Sequence, residues 1–340
     1  MRSLMVVMSV AALACLAGCA GGQPKPQEAA DEQLALDSLR QTCLDPKGQN
    51  GIAACRKVLR FKPNDAQVEH RLGWLLVADE RVPEGIAHMR KALKLMPDDA
   101  EAHYHLAVAL EIRGDRDAAV RSYQKAIALN PAHMDAQVAM GIALRKLKRR
   151  EEAEQALRQA LQQDASSAAA WAQLSLTLAQ LGKPDEAIEA GFKAVELRPE
   201  DANVRSNLGL FLTNAGRVDE AIEQLKLATE AQADNATALY NLALAYTKAD
   251  ALEEAARVYQ RAIGVRDGFP QAHHNLAVVL MGLGICQLAR EHFDRSHELG
   301  VRSAQIVIDQ FHKICEPEPD GPTPDEGQEQ ATPAGEKASG

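Results

Sequence analysis

The sequence predicts an all-α chain, a right-handed α-solenoid of about eight helix hairpins with a C-terminal capping helix, and three observations carry that expectation. A 34-residue period runs without insertion from Ala66 to about Ser303. Numbered from Ala66, Ala100, Met134, Ala168, Ala202, Ala236 and Pro270, position seven reads Leu72, Leu106, Met140, Leu174, Leu208, Leu242 and Leu276. Small residues hold position eight (Gly73, Ala107, Gly141, Ser175, Gly209, Ala243, Ala277) and position twenty (Gly85, then Ala119, Ala153, Ala187, Ala221, Ala255, Ala289). Small side chains at fixed places let paired helices approach closely. Each unit then closes near position 32 on Pro97, Pro131 or Pro199, or on the substitutes Ala165, Ala233, Asp267 and Val301. Proline ends one helix and opens the turn to the next.

The elements follow in chain order. Residues 1–18 have a charged start at Arg2 and an apolar run from Leu4 to Leu16 that is short for a permanent span, the pattern of a secretory signal. Residues 19–31, rich in Gly, Pro and Gln, read as a flexible tether reaching at most about 35 Å. Residues 32–65 are a degenerate capping repeat, with one helix from Gln33 to Leu44 and a partner from Gly51 to Phe61 ending at Pro63. Seven full repeats occupy residues 66–303. Residues 304–315, with Ile306, Val307, Ile308, Phe311 and Ile314, read as a helix covering the exposed side of the last repeat. Residues 316–340 are rich in Pro, Glu, Gly and Thr and read as a disordered acidic tail.

Charge narrows the functions. The formal net charge is −9, but from Glu316 onward seven acidic residues stand against Lys337 alone, so the array itself is close to neutral. That excludes the clustered basic face a nucleic-acid partner requires. The one basic stretch, Arg145 to Arg150, is flanked by Glu151, Glu152 and Glu154 and reads as a solvated turn, with a local anionic contact as its alternative. There is no Gly-rich phosphate loop, nucleophile elbow or metal motif. His103 and His105, His273 and His274, and His292 and His297 have spacings that suit packing, not a shared ligand. An open stack of hairpins also lacks the closed site that catalysis needs. We therefore expect no enzyme activity, no catalytic or metal-binding residues, no cofactor and no small-molecule substrate.

The in-phase Leu-Gly/Ala, Ala, aromatic, Ala and Pro positions resemble the tetratricopeptide repeat, over about residues 32–315. In that family the first helix of each unit lines a concave surface, so the resemblance implies a protein or peptide partner there. It places Asn203, Asn207, Asn214, Asn241, Tyr240, Lys248, His274 and Asn275 on the surface, with Trp74, Tyr104 and Ile142 toward the amino terminus. Asn207, Asn241 and Asn275 recur at position six and would form an amide ladder for an extended backbone, similar to that in the repeat domain of O-linked N-acetylglucosamine transferase. The alternative is that these amides bridge neighbouring helices. Trp74 and Tyr104, if exposed, suit an interface hot spot.

Leu16-Ala17-Gly18-Cys19 resembles the bacterial lipobox, which implies lipidation of Cys19 and, with Ala20 after it, an outer-membrane anchor on the periplasmic face. About 0.8 kcal/mol per buried methylene makes two or three acyl chains effectively permanent. Ordinary cleavage near Ala20 with release is the alternative. Four cysteines then remain, and an exported chain can pair Cys43 with Cys55 and Cys286 with Cys315, one bridge at each end of the array. The function expected from these features is a lipid-anchored scaffold that assembles a pilus, secretin or export complex. An adaptor for peptidoglycan-modifying enzymes and an accessory subunit of protein glycosylation stand beside it.

Overall fold

The computed structural model describes residues 26–45, 50–302 and 305–316, where every regular element is a helix. The signal segment, Cys19 and the acidic tail beyond Glu316 lie outside the described residues. The chain forms two compact units that meet in sequence at Pro199 and Glu200. The first holds five hairpins: α1 (Pro26–Leu44) with α2 (Gly51–Phe61), α3 (Ala66–Ala78) with α4 (Val82–Leu95), α5 (Ala100–Arg113) with α6 (Arg116–Leu129), α7 (Met134–Lys146) with α8 (Arg150–Gln163), and α9 (Ala168–Gln180) with α10 (Pro184–Leu197). The second holds α11 (Ala202–Asn214) with α12 (Val218–Ala231), α13 (Ala236–Lys248) with α14 (Leu252–Val265), α15 (Pro270–Gly282) with α16 (Cys286–Glu298), and then α17 (Gln305–Cys315). Within each unit the hairpins pack on their neighbours, which makes the fold an all-α solenoid.

Three periodic devices set the hairpin. At the entry, the last residue of one unit caps the first helix of the next. Asp65 accepts from the Val68 amide at 3.2 Å, Asp99 from Ala102 at 3.0 Å, Asp201 from Val204 at 3.1 Å and Asn235 from Ala238 at 3.0 Å. Ser167 caps Ala170 in the same way, and the His133 ring nitrogen caps Ala136 more weakly at 3.4 Å. Each such cap satisfies an orphan amide and is worth about 1 kcal/mol. At Phe269 the device is replaced by Pro270, which starts its helix with no amide to satisfy.

At the bend, position fifteen is left-handed in every full repeat. Glycine takes it at Gly114, Gly182, Gly216 and Gly284, but Glu80, Lys148 and Asp250 hold φ near 60° there without glycine's freedom. Between the two helices, position eight meets positions twenty and twenty-four. A methyl added at Gly73 would stand 2.8 Å from the Gly85 carbonyl oxygen and 2.7 Å from Met89 Cγ, and one at Gly141 would stand 2.7 Å from Leu157 Cγ. The buried core follows from this contact, with Leu72, Leu174 and Leu208 and the alanines of position twenty at or near complete burial.

The ends differ from expectation. Helix α1 begins at Pro26, inside the segment expected to be a tether, because Gln27 to Gln33 contains good helix formers that propagate from the packed half of the helix. Helix α17 forms, yet none of its residues is buried, and Ile306 (67% exposed) and Ile314 (49%) face outward. Its attachment is the Cys286–Cys315 disulfide and an edge-on contact of Phe311 with Phe293 at 5.6 Å. At the other end Cys43 is bonded to Cys55, joining α1 and α2, and both sulfurs are fully buried.

Two sets of substitutions test this account by urea unfolding. Lys148→Gly relieves left-handed strain and should stabilise by about 1 kcal/mol, whereas Gly114→Ala should destabilise by a similar amount. Gly73→Ala should cost about 1–3 kcal/mol, since the backbone of Gly85 cannot yield as a side-chain end can. Equal tolerance of alanine at Gly73 and at solvent-exposed Gly264 would contradict the close crossing.

Candidate partner-binding surface

Position nine of the first helices is apolar in all seven full repeats: Trp74, Val108, Ile142 and Leu176 in the first unit, Leu210, Leu244 and Val278 in the second. Each is half-buried, so one apolar side chain per repeat stays partly open to solvent. Of these, the family resemblance singles out only Trp74 and Ile142. The same 34-residue register that revealed the core also carried this stripe, and positions twelve and thirteen beside it add exposed Ile112 (59%) and half-buried Arg145.

In the first unit the stripe begins at an aromatic and histidine cluster built by three hairpins. His70 of α3 and His105 of α5 share a hydrogen bond at 2.8 Å between Nε2 and Nδ1. The Trp74 ring stacks on His105 at 4.1 Å between centroids, and Tyr104 tilts against both His105 and His133. Glu101 lies 3.3 Å from His105 Nε2 and from His133 Nε2. Burial is the main influence on both rings of the pair, outweighing the pull of Asp99 on each and of Glu101 on His70, and it pushes His70 down and His105 to about 4. Both imidazoles are therefore neutral at pH 7, one donating to the other. Trp74 and Tyr104, expected as exposed anchors, are half-buried members of this cluster.

Position six, the expected amide ladder, has another use for most of its members. Asn241 is 3% exposed and donates to Ser206 Oγ at 3.0 Å, and Asn275 donates to the Tyr240 hydroxyl at 3.0 Å. In each case position six of one hairpin reaches position five of the hairpin before it, and His105 reaches His70 by the same step. These side chains are struts between repeats, because a buried amide must find its partners inside the protein. Asn241 is thereby closed to a ligand, and the expectation of three free amides is corrected. Asn207 is half-buried, Asn203 is exposed and accepts from Asn235 Nδ2 at 3.0 Å, and Asn214 and Lys248 are exposed. His274 is half-buried with its ring edge-on to Phe293 at 5.6 Å.

Two of the histidines expected to pack, His103 and His273, also bind the backbone. At position four, His103 donates from Nε2 to the Pro97 carbonyl at 2.9 Å, Gln137 to Pro131 at 2.8 Å, Trp171 to Ala165 at 2.8 Å and His273 to Asp267 at 3.0 Å. Three residue types at four sites thus fasten the same loop, since each presents an N–H at the needed distance. His273 then has Nδ1 free to accept from His292 Nδ1 at 2.9 Å. Among the described residues no helix is long and apolar enough to cross a membrane, and no group of three or more His, Cys, Asp or Glu side chains is arranged to hold a metal ion.

Comparison with known proteins agrees with this architecture. The family described as the Cilia and flagella-associated protein 70 C-terminal domain, a tetratricopeptide-repeat domain, matches residues 99–307. The structure of pilF from Pseudomonas aeruginosa is similar at 24% identity, covering 60% of this chain and 92% of that one, with a TM-score of 0.53. The Cut9–Hcn1 hetero-tetramer of APC/C is similar at 17% identity over 82% of this chain and 54% of that one, with a TM-score of 0.58. A tetratricopeptide repeat protein from Parabacteroides merdae shares 12% identity, covers 74% of this chain and 98% of its own, and has a TM-score of 0.57. Identities of this size speak for the fold alone. Among curated proteins, none matches the chain.

The histidine pair makes stability depend on pH. His105 takes its proton near 6.5 when unfolded and near 4 when folded, so the stability it confers is complete above pH 6.5 and declines as pH falls from 6.5 towards 4. The titratable and charged groups facing it are His70, Asp99, Glu101, His133 and Arg71. Urea midpoints for the wild type should fall across this window, and His105→Asn, which copies the amide strut of the second unit, should flatten part of the decline. An unchanged slope in the variant would contradict a neutral, buried pair.

Proposed function

Because the chain belongs to the tetratricopeptide-repeat family, we propose that it is a scaffold that binds a protein or peptide partner along its first helices, anchored by lipid on Cys19 to the periplasmic face of a bacterial outer membrane. The observation that carries the binding function is the half-open apolar stripe at position nine. Core positions of this array are closed to water, as Leu72 and Leu208 are, and the second helices expose large apolar side chains chiefly at their last residue, as at Leu95, Leu129, Leu197 and Val265. Position nine is mid-helix and partly open in every full repeat. A row of partly exposed aliphatic side chains rimmed by polar groups is the composition of an interface core.

The open surface and the struts beneath it suit holding, not chemistry. Position five and six side chains lock one hairpin to the next, which keeps the stripe in register for an extended or helical segment. The lipobox Leu16-Ala17-Gly18-Cys19 supports the anchor, and the paired cysteines fit an oxidising compartment. On this reading the scaffold assembles an envelope complex, a pilus, secretin or export machine. The glycosylation alternative rested on the amide ladder alone and loses its support with Asn241 buried.

Two measurements test the proposal. Labelled palmitate should enter the wild type and follow the outer membrane on a density gradient, while Cys19→Ala should take up none and leave that fraction; equal labelling of both would remove the anchor. Ile142→Ser/Leu176→Ser should keep native helicity and lose at least tenfold in affinity for a partner cross-linked in the envelope, as expected when two apolar anchors are removed at about 1–2 kcal/mol each. Full retention of that partner would contradict the stripe as its site.

A further inference from the structure

Arg145 stands at position twelve of α7, one turn beyond Ile142 on the same first-helix face. Its Nη2 donates to Gln173 Oε1 on α9 at 3.2 Å, and its Nε is buried with no acceptor. Burial holds its pKa below the usual guanidinium range, with no carboxylate acting to restore it. Arg150 Nε is likewise buried without an acceptor, but three arginines at the hairpin bends are carboxylate-paired. Arg81, Arg149 and Arg217 each grip the glutamate three residues on, at Glu84, Glu152 and Glu220. Glu111, at position twelve of the preceding repeat, is occupied by Lys146 at 3.6 Å and by the Tyr123 hydroxyl at 3.0 Å.

A half-buried cation that lacks a counter-charge is costly, and a carboxylate arriving from outside recovers the cost with charge-assisted hydrogen bonds. Partly open apolar residues share the first-helix register with Arg145: Val138 and Ile142 on its own helix, Leu176 on the next first helix, and exposed Ile112 on the one before. We propose that the face formed by α5, α7 and α9 receives a protein segment that sets an aspartate or glutamate side chain on Arg145 between aliphatic residues seated along position nine. This deepens, and rests on, the reading of the first-helix face as the partner surface. The recognition is of one acidic side chain in an aliphatic setting, so a basic or uniformly polar segment is excluded by charge or by desolvation.

The test pans a phage-displayed random dodecapeptide library on the full chain in detergent and on its Arg145→Met and Arg145→Glu variants. Methionine keeps the apolar stem and its packing, so that variant folds with the charge alone removed. Peptides recovered on the wild type should carry Asp or Glu flanked by Leu, Ile or Val, and should bind Arg145→Met roughly tenfold more weakly. Arg145→Glu should instead recover Lys or Arg at that place. An acidic excess that is absent on the wild type, or that survives both substitutions, overturns the inference and leaves the partner surface standing. Peptides that bind the wild type but are indifferent to Ile142→Ser/Leu176→Ser, or a library that yields none, overturn both.

Discussion

Where the first helix of each hairpin crosses the second, the residue at position eight lies against the partner helix with no room for an extra atom at Gly73, Gly141 or Gly209. What stands opposite, at position twenty-four, changes with it. Glycine faces Met89, Leu157 and Leu225, whereas alanine faces the planar rings of Tyr123, Tyr259 and Phe293. Ser175 faces Gly191, and its hydroxyl fills the space by donating to the Ala187 carbonyl at 2.6 Å. The aliphatic chains of Met89, Leu157 and Leu225 take the methyl's volume; a flat ring leaves it. Small and large residues thus compensate across the crossing, as close-packed interiors require.

That filled crossing is what permits the rest. A hairpin of fixed geometry offers the next hairpin the same face, so a single register of struts can recur: Asn241 to Ser206, Asn275 to Tyr240, His105 to His70. Fasteners to the loop recur likewise, whether by imidazole, amide or indole. The chemistry of these links varies while their geometry does not, which is how a quasi-one-dimensional array gains local character without changing its fold. At His70 and His105 the local character is a titratable link; at Arg145 it is an unpaired charge on an apolar face.

The fold was legible because its determinants are short-range and periodic. Leu72, Gly73, Gly85, Ala92 and Pro97 each announce a position that returns 34 residues later, and period alone converts them into helices and crossings. The site was only partly legible. Recurrence of Asn207, Asn241 and Asn275 showed a selected position but not its direction, and an amide pointing to the preceding repeat looks the same in sequence as one pointing to a ligand. Direction decides everything there, since 3% exposure leaves Asn241 nothing to offer. The position-nine stripe was hidden for the opposite reason: valine and leucine on a helix face read as core until their partial exposure is seen. Contacts such as His70 with His105 span 35 residues, beyond any spacing rule for a single helix, and only stacking of adjacent hairpins brings them together.

The claim at the centre of this account is that the first helices, and not the second, carry the partner. A photoreactive benzophenone side chain placed singly at Ile142 or Leu176, on the stripe, and at exposed Arg121 on α6 tests it directly in the living envelope. The account predicts a discrete cross-linked adduct from the two stripe positions and none from Arg121. Adducts from Arg121 alone, or of equal yield from all three positions, would contradict it.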